Sequence, residues 1–285
     1  MQKESGKSSP SRVIVHVLLS AYVIILGYII VGLIFKFSVS AEIFFGLSFA
    51  LLFFTLGQSF YELGFKNASI FLVITSMIGF LAEVLGTSSG FPFGKYYYTD
   101  FLGEKVLGVP IVVPLVWFVI AYLSFSIARS AFREGARGNP VQNSTIFTIA
   151  LLSAFGAVAW DSMIDPMFSS YGYWVWTGQF LPLPKLDGIP LTNFVGWFVL
   201  VALMVYVCTY AIFKGSYGKM ISRKNILDSK IAYALLMVDG VVANYSLGNL
   251  LAIGIGSLAM LTFLMVTYLY SRKSLTVDSA IPVVR

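Results

Sequence analysis

Charge is what this chain has least of. Only 11% of its 285 residues are Asp, Glu, Lys or Arg, against about a quarter in a soluble domain. Too few polar groups remain to cover a globule, which excludes an ordinary soluble enzyme. The single cysteine, Cys208, excludes an intrachain disulfide and has no partner for a thiolate zinc site or for nucleophilic catalysis. The single histidine, His16, stands near one end of the first apolar run without metal-ligand companions and reads as a packing residue. No lysine falls in the middle of an apolar run, which excludes a retinal Schiff base, and no glycine-rich phosphate loop follows a strand. What the chain has in quantity is apolar length: 58% of residues are hydrophobic, with 25 Phe, 16 Tyr and 5 Trp.

A bilayer crossing needs about 20 apolar residues. Apolar runs and their breakers predict eight spans, at about 13–34, 41–61, 69–87, 109–128, 145–167, 190–213, 230–246 and 249–270. The seventh is short and contains Asp239. The fold expected is therefore all-α: one polytopic membrane bundle over 13–270, flanked by polar tails at 1–12 and 271–285. The first run has no small-residue cleavage site behind it and reads as a retained span.

The net charge of +6 does not point to nucleic acid, because the charges sit between the apolar runs. With the N-terminus inside, fifteen Lys and Arg fall on the inner side and four (Lys36, Lys95, Lys105, Lys185) on the outer. This bias predicts that both termini are cytoplasmic, in a multi-pass protein of the cell membrane. Residues 88–108 and 168–189 then form two long outer loops, and all five tryptophans lie near the outer surface. They suit either an interfacial aromatic belt or an aromatic cavity.

The two loops echo one another. Gly108-Val109-Pro110-Ile111 leads to Trp117, and Gly188-Ile189-Pro190-Leu191 leads to Trp197, at the same offset. Each copy follows an acid-bearing span and a tyrosine-rich loop. The pattern reads as a parallel duplication of a helix-loop-helix unit, although Gly-Pro starts and interfacial Trp are common in membrane helices.

A charged side chain at mid-bilayer costs about 2.5–3.5 kcal/mol on the insertion scale, so acids inside spans need a reason. Four qualify: Glu83, Asp161, Asp165 and Asp239. Spans three, five and seven run in the same direction, so their acids can converge in the outer half of the bundle. Asp161 and Asp165 share one helix face at i, i+4, and Pro166 is expected to end that helix. Two carboxyls closed into an apolar site offer a general acid beside a general base; a polar cap at the helix end is the plainer reading.

Longer stretches resemble a known family. Glu83-Val84-Leu85-Gly86 followed by Phe91-Pro92-Phe93-Gly94-Lys95-Tyr96-Tyr97-Tyr98 is similar to the signature of the membrane carotenoid hydratases, the bisanhydrobacterioruberin and γ-carotene/lycopene hydratase type. Asp161-Ser162-Met163-Ile164-Asp165-Pro166, Tyr173-Trp174-Val175-Trp176 and Gly188 to Trp197 resemble that family's later motifs, in the same order. The likeness covers about residues 75–200. It implies addition of water across a terminal C=C of a long carotenoid, without cofactor or metal. The substrate would lie in the bilayer among lipid, and other enzymes of carotenoid synthesis are expected partners. The residues present suit that chemistry. Asp161, Asp165 and Glu83 are the catalytic candidates. Trp160, Trp176, Trp197, Tyr96 and Tyr98 offer aromatic faces to a carbocation, Asn193 is a hydrogen-bonding partner, and Asp239 joins them as a substrate-binding candidate.

The rivals share pieces of this pattern. An integral-membrane lycopene cyclase uses the same protonation and captures the cation with an alkene. A prenyltransferase would use Asp161-x-x-x-Asp165 for magnesium diphosphate, but wants a second such motif and nearby cations. A proton-coupled transporter also buries acids, and would favour inverted rather than parallel symmetry.

Overall fold

A computed structural model of the protein describes residues 10–37, 41–132, 142–179, 181–213 and 226–279. The basic residues expected on the inner side at Lys3, Lys7, Arg133, Arg137, Lys214, Lys219, Arg223, Lys224 and Arg285 lie outside the described residues. Eight helices occur among the described residues: α1 (Pro10–Phe35), α2 (Ala41–Leu63), α3 (Phe65–Ser89), α4 (Val113–Arg129), α5 (Asn143–Ser170), α6 (Leu191–Phe213), α7 (Ile226–Leu247) and α8 (Leu250–Ser279). Six of them, α1, α2, α3, α5, α6 and α8, are long and apolar enough to cross a membrane. The protein is a polytopic helical membrane protein.

The chain forms two compact units, Met1–Ala68 and Ser69–Arg285. In the first, α1 and α2 pack on one another. Gly57 of α2 leaves room for Leu18 and Val15 of α1, and α1 buries Val15, Leu19, Tyr22, Leu26 and Ile29, one stripe at alternating steps of four and three.

The second unit is built round α4 and α5. Fourteen of the 17 residues of α4 are buried. A helix apolar on every side belongs in a core, and α4 packs against α5, α6, α7 and α8. It is joined to α3 by aromatic contacts from Phe71 to Phe118, Tyr122 and Phe125, with ring centroids 5.2–6.3 Å apart. Helix α5 packs against α4, α6, α7 and α8 in turn.

Two expectations are corrected. The fourth span was placed from residue 109, but α4 starts at Val113 and Val109–Pro110 is a short strand; an apolar run alone does not separate strand from helix. Pro166 was expected to end α5, yet the helix runs on to Ser170. A proline breaks hydrogen bonding one turn back. The carbonyl left without its helical donor is that of Ser162; the next one, Met163, accepts Asn244 Nδ2 of α7 at 2.9 Å, a polar contact from a neighbouring helix at the proline turn.

The two long loops contain six strands. β1 (Lys95–Tyr98) pairs antiparallel with β4 (Trp174–Gly178), joining one loop to the other, with Tyr96 opposite Trp176 and Tyr98 opposite Trp174. Each loop also closes on a small hairpin, β2 (Lys105–Val106) with β3 (Val109–Pro110) and β5 (Lys185–Leu186) with β6 (Ile189–Pro190). Their turns match: Leu107-Gly108 and Asp187-Gly188 all have positive φ, as a two-residue type I′ turn requires. The same hairpin thus precedes α4 and α6, the echo expected from sequence, and the β1–β4 pair ties the two copies together.

Candidate active site

Alternation along β1 and β4 decides what lies beneath the strap. Successive strand residues face opposite sides, so Tyr96 and Tyr98 are buried while Lys95 and Tyr97 are exposed. On β4, Trp174 and Trp176 turn the same way as the two tyrosines, whose partners they are in the ladder. Tyr96 meets Trp176 with ring centroids 4.8 Å apart, and Tyr98 meets Trp174 at 5.9 Å. Such pairs are worth about 0.5–1.5 kcal/mol each beyond burial.

Each aromatic residue carries a donor, and the donors converge on acids. The hydroxyls of Tyr96 and Tyr98 both donate to Glu83 Oε2 of α3, the latter at 2.8 Å, and Trp117 Nε1 of α4 donates to Oε1 at 2.9 Å. Trp174 Nε1 and Trp176 Nε1 donate to Asp165 Oδ1 at 2.6 and 3.1 Å. Asn193 of α6 donates through Nδ2 to Oδ2 of both aspartates, 2.9 Å from Asp161 and 2.6 Å from Asp165. Glu83, Asp161, Asp165 and Asn193 are each at most 4% exposed. Without such partners, charges in a dry site would be prohibitive.

The geometry repeats with the sequence. Glu83 is held by the strand and helix that follow it, and Asp165 likewise by β4 and α6. Trp117 and Trp197 stack between the two halves, centroids 3.8 Å apart and planes 20° apart. Trp117 fits because α3 carries Gly79 against it; a Cβ there would stand 2.5 Å from Trp117 Cγ. Gly86 clears the same kind of space for Tyr96 and Phe93.

Burial, and then the charge of Glu83, holds the phenols of Tyr96 and Tyr98 well above the ordinary tyrosine range. Both therefore remain hydrogen-bond donors across neutral pH. Trp160, beside Asp161 in sequence, is 5% exposed and lies edge-on to Trp197 at 6.3 Å. Its Nε1 has no hydrogen-bond partner among the described residues.

The cluster brings together nine of the ten residues singled out from sequence: Glu83, Tyr96, Tyr98, Trp160, Asp161, Asp165, Trp176, Asn193 and Trp197. Asp239, half-buried on α7, makes no hydrogen bond to these acids among the described residues. Two further members, Trp117 and Trp174, were visible in the sequence as part of the echo, of a motif stretch and of the tryptophan set, and were not singled out as site residues. Their carboxylate partners lie 34 and 9 residues away. The signal that could have found Trp174 is its i, i+2 spacing from Trp176, which places both indoles on one strand face.

Residues 21–263 match the family described as carotenoid biosynthesis protein. Bisanhydrobacterioruberin hydratase of Haloarcula japonica is 22% identical over 173 residues, 60% of this chain. The match spans 55% of that relative's length, so this chain matches just over half of it. No solved structure matches.

Proposed function

The chain belongs to the carotenoid biosynthesis protein family, and from that premise we propose that it is a carotenoid hydratase. It adds water across the terminal C=C of an acyclic or elongated carotenoid. The observation that carries this reading is the Asn193 amide bridging Asp161 and Asp165 beneath the aromatic strap. That arrangement sets a carboxylic acid and a carboxylate side by side in a site shielded from water.

Hydrogen-bond supply divides the roles. Glu83 and Asp165 each accept three N–H or O–H bonds, the pattern that suits a carboxylate. Asp161 accepts one bond, from Asn193, so it is the acid. Asp161 gives its proton to the less substituted alkene carbon, leaving a tertiary cation at the other. Aromatic faces of Trp160, Trp197 and Tyr96 stabilise that cation by about 2 kcal/mol each when desolvated, and the fixed charge of Glu83 adds to them. Water bonds to the cation and releases its proton to Asp165, from which the proton returns to Asp161. The free Nε1–H of Trp160 is a donor for the oxygen of that water or of the product alcohol. The balance is one alkene and one water giving one tertiary alcohol; the acids are regenerated.

The test is expression in a bacterial host that makes lycopene, and in one that makes an elongated acyclic carotenoid, with pigments identified by chromatography and mass spectrometry. A product heavier by one water, lost in Asp161→Asn, supports the reading. A product of unchanged mass with altered absorption would make the protein a cyclase. Unaltered pigment from both hosts overturns the enzyme assignment.

A further inference from the structure

The two hairpins share a fold but differ at the tip. In the second, Asp187 takes the first turn position and its Oδ2 accepts the backbone N–H of Ala252 at 2.8 Å, capping the first turn of α8. Asp is at home at positive φ, and its side chain is used. In the first hairpin the same position holds Leu107, with φ +51° and 72% exposure. A leucine there combines a backbone conformation that large L side chains rarely adopt with an apolar side chain facing outward. Neither is explained by a contact among the described residues.

Its surroundings identify what it faces. Val109 and Pro110 on β3 are buried, while Val106 beside Leu107 is 49% exposed. The base of the hairpin is charged instead: Lys105 Nζ donates to the Tyr98 carbonyl and to Asp100 Oδ1, both at 2.8 Å. The hairpin is thus polar at its root and apolar at its tip. That tip is folded back along α3, with Gly108 3.8 Å from Thr87 Oγ1 as measured from a Cβ position. Thr87 lies inside the apolar span of α3, one turn beyond Glu83, whose carbonyl accepts its hydroxyl at 2.9 Å. On the same helix Leu85 is 50% exposed, and Ile111 just after the hairpin is 59% exposed. The tip and the end of α3 thus meet at Gly108 and Thr87, and both carry exposed apolar side chains, Val106 and Leu107 on the one and Leu85 on the other.

We propose that the β2–β3 hairpin is a membrane anchor whose tip, Val106 and Leu107, inserts into the lipid of the bilayer beside α3. The charged root, Lys105 with Asp100, lies at headgroup level, where a lysine stem can bury and its ammonium stay hydrated. The β5–β6 hairpin, by contrast, docks on protein. This inference does not depend on the reaction assigned to the site.

The test places a nitroxide label at Leu107→Cys, Val106→Cys and Thr177→Cys in the full-length protein, reconstituted alone in phosphatidylcholine vesicles. Cys208 is fully buried and stays unlabelled. Thr177 is exposed on the outward side of the strap and serves as the aqueous reference. The expected result is a ratio of oxygen to aqueous nickel-chelate collisions several-fold higher at 106 and 107 than at 177. A ratio equal to that at Thr177 overturns the proposal and puts the tip in water. Exclusion of both reagents also overturns it, and points to a second copy of this chain. Two tip positions are used so that one poorly folding variant leaves the test intact.

Discussion

Trp117 and Trp197 stack with their ring centroids 3.8 Å apart, each the same distance along the chain from its own Gly-hydrophobic-Pro hairpin. The stack joins two copies of one helix-loop-helix unit, and the buried acids of each copy lie beneath the strand pair that also joins them. A single site is thus assembled from two halves, one built around Glu83 and the other around Asp165.

The Asn193 amide is the hinge of the Asp161–Asp165 half. Asn193→Leu keeps bulk but removes both N–H bonds, leaving Asp161 without its hydrogen bond and Asp165 with two of three. A buried polar group left without its partner costs about 1–3 kcal/mol, and loss of a positioned acid–base pair lowers rate by about 10²–10⁴-fold. Pigment conversion per unit of membrane protein should fall in that range, and the melting temperature in detergent should drop. Conversion within a factor of a few of wild type contradicts the assigned role.

Space at Gly79 is the second point of sensitivity. Gly79→Ala sets a methyl 2.5 Å from the Trp117 ring; overpacking of this kind costs about 1–3 kcal/mol and pulls Trp117 Nε1 from Glu83. Gly27→Ala on α1 has nothing within 4 Å, and should be neutral or stabilising, since alanine is the better helix former by about 1 kcal/mol. Thermal unfolding of both variants checks the pair. Equal effects would mean that Gly79 is not a seat for Trp117.

Alkaline pH should report on Tyr96 and Tyr98. Free tyrosine ionises near pH 10, and burial together with the Glu83 carboxylate raises both phenols well above that. A pKa raised in the folded state means the fold holds these protons more tightly than the unfolded chain. Their contribution to stability is intact below about pH 10 and is lost as pH rises through the folded values. Absorbance titration should count two fewer late-ionising tyrosines in the Tyr96→Phe/Tyr98→Phe double variant than in the wild type. A double variant that titrates like the wild type removes this assignment.

Much of the membrane architecture was legible because bilayer physics acts locally. Twenty apolar residues make a span wherever they occur, and Glu83, Asp161 and Asp165 stood out because acids in such runs are costly. The Tyr96–Tyr98 run and Asn193 were legible through motif resemblance. What the sequence hid was long-range. The Lys95–Tyr98 strand meets Trp174–Gly178 across more than seventy residues, and no local pattern encodes that pairing. Pro166 misled because a proline inside a membrane helix is tolerated where neighbouring helices pack against the turn it disturbs. Asp239 looked like its fellow acids by residue type and depth, and neither tells which hydrogen bonds a side chain makes.

The central claim is that water, not an internal alkene, captures a cation formed at Asp161. The direct measurement is turnover of an acyclic carotenoid by the reconstituted protein in ¹⁸O-enriched water, followed by mass spectrometry of the pigment, with Asp161→Asn alongside. The account predicts one ¹⁸O in each newly formed tertiary alcohol from the wild type, and no alcohol from the variant. A product without ¹⁸O, or an equal yield of labelled alcohol from Asp161→Asn, would contradict it.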